Sequence, residues 1–478
     1  MKLGIIPYQA EELVHGKDSG NVRPRFPSVQ KTHEIETKDD DVKVFVKPED
    51  IPLNRRNFVY RPCAPNPRFT ELGYCCSEYP FKNAGMNIMD RSDGISLIKD
   101  GNDVVSVDES LGWRTSRCDA CVKEGEAYWE VEIIRGGLLE PFPDDIPLQK
   151  RRDVLNSIPH LRIGISKREA SLEAPVGFDS YGYGIRDHTL ESIHEGNITQ
   201  TLPLKFLKPG DRIGLLLRLP TFEEQNRQAD EYRQRRIAAL SSDSSKPTPS
   251  NDYWTPEDPG PNKKKTKKGF CNLDFQKALL EDIDNKNVIR DHIAIRYKNQ
   301  LFFEATDYIK TTKPEYHSSD KREREEYYHL ADSHLSVYLN GEPLGRAFQD
   351  LKPFLPPFSE LQYKEKFFFD YWRHGTASNN DKGLSDSTQK KGLLLRNKYV
   401  NNNKLGYYPT ISCFNGGTAR IITQRSELNY FDEVLKAHPR PKDVRVLETL
   451  YQEQIAEDIV WDIVDEVEEE INASLLKV

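Results

Sequence analysis

The chain has 478 residues, of which 37% are hydrophobic and 30% charged, with a formal net charge of -8. A mean hydropathy of -0.71 and a pI of about 5.9 exclude a global basic field for nucleic acid and predict that part of the chain is exposed insert or tail. No stretch approaches the ~18 apolar residues of a membrane span. MKLGIIPYQAEELVHGKD has too few apolar residues before Glu11 for a secretory leader. Seven cysteines at 63, 75, 76, 118, 121, 271 and 413 form no disulfide-like array. A soluble, intracellular protein is expected.

Residues 1–50 are polar and read as a flexible arm, with one short strand at Val42 to Val46. A body spanning 51–425 follows, and its strand-like phrases come in a fixed order. After a proline-stiffened lead-in, RPCAPNP, regular strand material begins at Gly94 (GISLIKDG). Then come AYWEVEII (Ala127 to Ile134), HLRIGIS (His160 to Ser166), GDRIGLLLRL (Gly210 to Leu219), HLSVYLNGEPLGRAF (His334 to Phe348) and YYPTISCF (Tyr407 to Phe414). Each alternates apolar and polar residues or is densely β-branched and aromatic, as half-buried strands are. Asn340-Gly341 between two such runs predicts a hairpin with φ > 0 at both turn positions. The fold class is therefore all-β, an antiparallel two-sheet sandwich, an architecture that usually binds rather than catalyses.

Polar inserts at about 137–159, 221–287, 311–330 and 359–403 decorate this body, because the strand phrases resume after each. The first half of the largest, FEEQNRQADEYRQRRIAAL, has helical propensity; its second half has a disordered composition. Residues 426–444 read as a linker. Over 445–474 the period changes to that of an amphipathic α-helix, with Ile455, Ile459, Val460, Ile463, Val464, Val467 and Ile471 on one face and acids opposite. Burying six of these seven aliphatic side chains at roughly 1.5–3 kcal/mol each represents about 9–18 kcal/mol gross, so the stripe needs a cover. That cover is either the protein's own sandwich or a partner groove.

In HLRIGIS, Leu161, Ile163 and Ile165 share one face and Arg162 the other. APVGFDSYGYGIRDH then supplies Pro175, Phe178, Arg186 and His188. Two arginines beside aromatics and a proline suit an acidic or phosphorylated peptide, because guanidinium binds such groups bidentately. An internal ion pair of Arg162 with Asp179 or Glu130 is the competing explanation. Lys263, Lys264, Lys265, Lys267 and Lys268 read as a solvated charge run, with nuclear import or a DNA-backbone contact as the functional alternatives. Cys118-Asp119-Ala120-Cys121 is a lone CxxC, short of the four ligands of structural zinc. No nucleophile elbow, phosphate loop or dinucleotide fingerprint is found; no enzyme, no metal and no cofactor is expected.

The series YWEVEI, RIGIS, GYG, GDRIGLLL, LSVYLNGEPLG and YYPTIS resembles the SPRY domain. APVGFDSYGYGIRD is similar to one branch of it, the SPRY subunit of COMPASS complexes, which methylate lysine four of histone H-three. The resemblance implies a non-catalytic nuclear subunit that works beside a SET-domain catalytic subunit and reaches the nucleosome indirectly. It implies that Arg162, Pro175, Phe178 and Arg186 capture an acidic stretch of a WD-repeat propeller subunit, with Tyr128 and His188 on the same surface. A tyrosine of the animal pattern is Phe178 here, and a lysine-rich step becomes Asp187-His188. AEDIVWDIVDEV resembles the motif that inserts into a dimeric bundle of the dumpy-thirty type, with Ile459, Val460, Ile463, Val464 and Val467 as anchors and Trp461 at the stripe's edge. Nothing matches the N-terminal zinc-binding and winged-helix region of the animal proteins. A substrate-recruiting SPRY adaptor of a ubiquitin-ligase-like complex is the alternative.

Overall fold

The structure, a computed structural model, describes residues 27–36, 42–49, 51–52, 58–62, 83–138, 142–143, 146–243, 280–281, 283–288, 292–297, 300–308, 328–359 and 403–475. Alternation along Gly125–Arg135 sets the architecture. Ala127, Trp129, Val131 and Ile133 point inward and are fully buried, while Tyr128, Glu130 and Glu132 point to the opposite face. This strand lies in a ten-stranded sheet whose path runs Val29–Glu36, Val42–Pro48, Ile95–Ile98, Val104–Val107, Thr418–Ile422, Gly125–Arg135, Arg212–Leu219, His334–Leu339 and Glu342–Gln349. A seven-stranded sheet runs Asn197–Thr199, Ser192–His194, Gly182–Arg186, His160–Ser166, Tyr408–Phe414, Arg114–Cys118 and Met86–Arg91. Leu215, Leu217, Val337 and Ile421 of the first sheet share one core with Leu161, Ile163, Ile165 and Ile411 of the second. The expected antiparallel sandwich is present. Its turn at Asn340 (φ 49°) and Gly341 (φ 85°) has both positions in the left-handed region.

Two expectations need correction, and one sheet is additional. The arm is structured where it is described: Val29–Glu36 and Val42–Pro48 form a hairpin that pairs with Ile95–Ile98 and buries Phe45 completely. Residues 426–444 are no free linker, because their apolar side chains have a cover of their own. Leu428, Val444 and, on helix Phe431–Ala437, Phe431 and Val434 pack with Tyr128, Leu216 and Ile422 on the outer face of the large sheet. Val444–Val446 then pairs in parallel with Gly125–Arg135. A further three-stranded sheet, His292–Tyr297, Gln300–Tyr308 and Phe58–Pro62, is unanticipated.

The first insert carries helix α1 (Leu148–Ser157), none of whose residues is buried. The helical half of the second is α2 (Phe222–Asp243), which seats Ala229 and Tyr232 against the body; Tyr232 stacks on Phe358 at 4.6 Å. With the Phe431–Ala437 helix as α3, the last helix is α4 (Leu447–Leu475). The lysine run 263–268 and residues 311–327 and 360–402 lie outside the described residues.

Candidate partner-binding surfaces

The register of the seven-stranded sheet places Arg162 directly opposite Arg186 and Gly164 opposite Gly184. With Leu161, Ile163 and Ile165 in the core, both arginines project from the outer face. Part of that face is roofed by the segment after Ser166. Val176 N–H donates to Ser412 Oγ at 2.9 Å, and Thr115 Oγ1 donates to the Ala174 carbonyl at 2.7 Å. The roof sits so low that a Cβ on Gly184 would come within 2.4 Å of the Val176 carbonyl oxygen, which is why the GYG phrase needs its second glycine. The roof ends in a turn closed by Phe178 N–H to the Pro175 carbonyl at 3.0 Å, with Gly177 at φ +84° as a type II turn requires. Phe178, 56% exposed, and half-buried Pro175 thus flank a turn seated two residues along the strand from Arg186.

Arg162 has no carboxylate partner among the described residues; its guanidinium lies 5.0 Å from the ring of Trp113. Burial, and then the charge of Arg186, lower its pKa to about 10, with the Asp187 carboxylate opposing them. The ion-pair explanation fails on the acids it needs. Asp179 accepts the backbone N–H groups of Ser171 and Tyr181, and burial raises its pKa. Glu130 lies on the other sheet, where it accepts from Tyr430 N–H at 2.9 Å and pairs with Arg212 at 3.4 Å. Arg186 is held by Glu191 at 2.8 Å, and both side chains keep 25% exposure.

Two residues expected on this surface are elsewhere. Tyr128 is fully buried on the opposite sheet, stacked on Phe431 at 5.3 Å, because a residue preceding an inward Trp129 must face outward from its own sheet. His188 is buried instead of free. With His160 it donates to Asp187 Oδ1 at 3.3 Å, while Asp187 Oδ2 accepts Gly137 N–H at 2.7 Å and Leu161 N–H at 2.8 Å. Burial lowers the pKa of His188, and these donors hold the Asp187 carboxylate ionised against its own burial. His160, Asp187 and His188 could approach a metal together, but both carboxylate oxygens are already engaged with protein N–H groups.

Trp113 is the residue that sequence reasoning missed. It packs at a tilt on Phe414 at 5.3 Å, Phe414 faces His160 at 6.4 Å, and His160 meets His188 at 5.0 Å, an aromatic file that ends at Arg162. The signal was a half-exposed Trp at the entrance to a strand, legible only once that strand's neighbours were known.

The second surface is on α4. Its first turns pack on the body, with Leu447, Leu450, Tyr451 and Ile455 in the main core and Ile459 half-buried against it. The stripe then emerges: Val460 is 58% exposed, Val467 50% and Ile471 53%, with Ile463 and Val464 at 36% and 38%. Ile455 and Ile459 therefore serve the chain's own core, and the free stripe begins at Val460. Trp461 is half-buried and falls on the body side of the helix by its phase.

No family model matches the sequence. Among curated proteins, the chain is similar to the COMPASS component BRE2 of Saccharomyces cerevisiae, 54% identical over 505 residues that cover 98% of this chain and 99% of that one. It is also similar to the Set1 complex component ash2 of Schizosaccharomyces pombe, 28% identical over 89% of this chain and 47% of that one. Among solved structures, the SPRY domain of human HERC1 aligns with 71% of this chain and 99% of that one, at 10% identity and a TM-score of 0.29.

Proposed function

The chain belongs to the family of the yeast COMPASS component BRE2, and from that membership we propose that it is a non-catalytic scaffold subunit of a nuclear COMPASS-type complex acting on lysine four of histone H-three. The sandwich face captures an acidic segment of the WD-repeat propeller subunit, beside the SET-domain catalytic subunit. The exposed stripe of α4 docks a dimeric helical bundle of the dumpy-thirty type. Holding two partners on one rigid body lowers the ordering cost of a catalytic lobe that this chain does not itself encode.

The observation that carries this reading is Arg162: a half-buried guanidinium on an outward face, over the ring of Trp113, beside a second arginine and in no ion pair among the described residues, with Asp187 acting on it only at a distance. A partly desolvated cation without a contacting anion is costly until an anion completes it. An acidic segment supplies that anion, and Phe178 with Pro175 offers its apolar neighbours a surface. The test is calorimetric titration of an Asp/Glu-rich peptide of the propeller subunit into the purified chain. Binding that weakens with added salt supports the reading; no binding by the wild-type chain at low salt overturns it for this face.

A further inference from the structure

We propose that Gln454 and Asp458 are positioning residues that fix the direction and rotational phase of the docking stripe before any partner arrives; this rests on the reading of α4 as a docking helix. Each ties the helix to a different chain segment of the sandwich, and the two segments meet where Cys121 Sγ–H donates to the Lys404 carbonyl at 3.8 Å. The Gln454 amide makes a two-way bond with a single backbone residue: its Nε2 donates to the Cys121 carbonyl at 2.7 Å and its Oε1 accepts Cys121 N–H at 3.3 Å. One turn on, Asp458 accepts from Lys404 Nζ at 2.8 Å, and both side chains are buried, 9% and 11% exposed. The Lys404 carbonyl is in turn held by Tyr408 Oη at 2.6 Å, at the start of a central strand of the seven-stranded sheet.

Helix phase shows what this clamp achieves. At 100° per residue, Leu447, Leu450, Tyr451, Gln454 and Asp458 centre roughly 140° away from Val460, Ile463, Val464, Val467 and Ile471. The first set is buried in the body and the second is exposed. Packing in cis and docking in trans thus use opposite sides of one helix and do not compete. A free amphipathic tail would have to order its backbone residue by residue on binding, an entropic cost that lowers the docking affinity. A helix already nucleated and held by its first three turns avoids most of that cost, and its stripe points in one fixed direction relative to the arginine face. Apolar contacts alone would let the helix roll; these two buried polar bonds one turn apart set the angle, with Glu448, which accepts Ala84 N–H at 2.8 Å, and Glu457, 3.5 Å from Lys123, as half-exposed additions.

The experiment compares the full chain with a Gln454→Ala/Asp458→Ala double variant, by backbone hydrogen exchange over residues 459–467 without partner and by the association rate and affinity for the purified bundle dimer. The positioning role predicts protected amides in the wild type, at least about tenfold faster exchange in the variant, and about tenfold weaker docking carried mainly by slower association. Asp458→Asn, which keeps a hydrogen bond to Lys404, restores most of the difference. Should the double variant not fold, Asp458→Ala alone carries the comparison. Unprotected wild-type amides, or wild-type docking rates in a folded variant, overturn the proposal. A protected helix that binds no bundle dimer refutes the docking reading instead, and leaves the positioning role standing on the exchange data.

Discussion

Arg162 and Arg186 face each other across adjacent antiparallel strands; Arg186 is ion-paired with Glu191 at 2.8 Å, whereas Asp187 acts on Arg162 without an ion-pair contact among the described residues. The member without a contact partner is therefore the more sensitive one. Arg162→Ala is expected to weaken binding of an acidic propeller-subunit peptide by at least about tenfold, since a charge-assisted hydrogen bond is worth about 1.5–3 kcal/mol. Arg186→Ala is expected to weaken it less, because the Arg186 charge is already shared with Glu191 and offers less of itself to a ligand. Titration calorimetry orders the two; equal affinities for both variants and the wild type would return the face to a purely structural role.

Trp113 holds the guanidinium of Arg162 in place, so it acts on the ligand through that residue as well as through its own ring. Trp113→Ala should weaken the same peptide about fivefold, in keeping with ~0.5–2 kcal/mol for a partly desolvated cation–π contact. Trp113→Phe, which keeps a ring face, should recover most of it. The paired titrations check this.

Ile455 and Ile463 sit two turns apart on α4 but belong to different surfaces. Ile455→Ala should destabilise the protein by about 2–4 kcal/mol, as buried large-to-small changes do. Ile463→Ala should stay within about 0.5 kcal/mol in the isolated chain. Urea unfolding of the two variants reads the contrast directly.

His194 predicts a pH dependence. Its ring stacks on Tyr183 at 4.1 Å, its Nδ1–H donates to the Gly182 carbonyl at 2.8 Å, and burial pushes its pKa down to about 4. The unfolded chain binds a proton near pH 6.5, so this residue's contribution is complete above that pH and is lost as pH falls toward 4. The loss is about 3 kcal/mol at most. His194→Phe, which keeps the stack and cannot titrate, should flatten the fall in unfolding free energy over that window; an unchanged slope would assign the dependence to other groups.

Much of this fold was legible because strand alternation reports burial directly. Leu161, Ile163 and Ile165 in the core and Arg162 facing out follow from period two alone. Tyr128 fails for the same reason that Trp129 succeeds: alternation says which residues share a face, not which of two sheets that face belongs to or what covers it. His188 was misplaced because its neighbour Asp187 gathers four N–H donors, two of them backbone groups with no sequence signature. The stretch 426–444 looked like a linker since Pro439 and Pro441 punctuate it, yet five apolar side chains there were enough to cover Tyr128 and Leu216. The HIAIRY and QLFFEATDY strands were overlooked between two long polar inserts.

The central claim, a scaffold with a docking stripe facing away from its own body, is tested most directly by mixing the purified chain with the dimeric helical-bundle protein and resolving the species by size-exclusion chromatography with light scattering. The wild type should elute as a joint complex. Ile463→Asp, which puts a charge in the middle of the stripe without touching the core, should elute apart from the dimer with its own fold intact. Co-elution of the Ile463→Asp chain at wild-type stoichiometry would contradict the account.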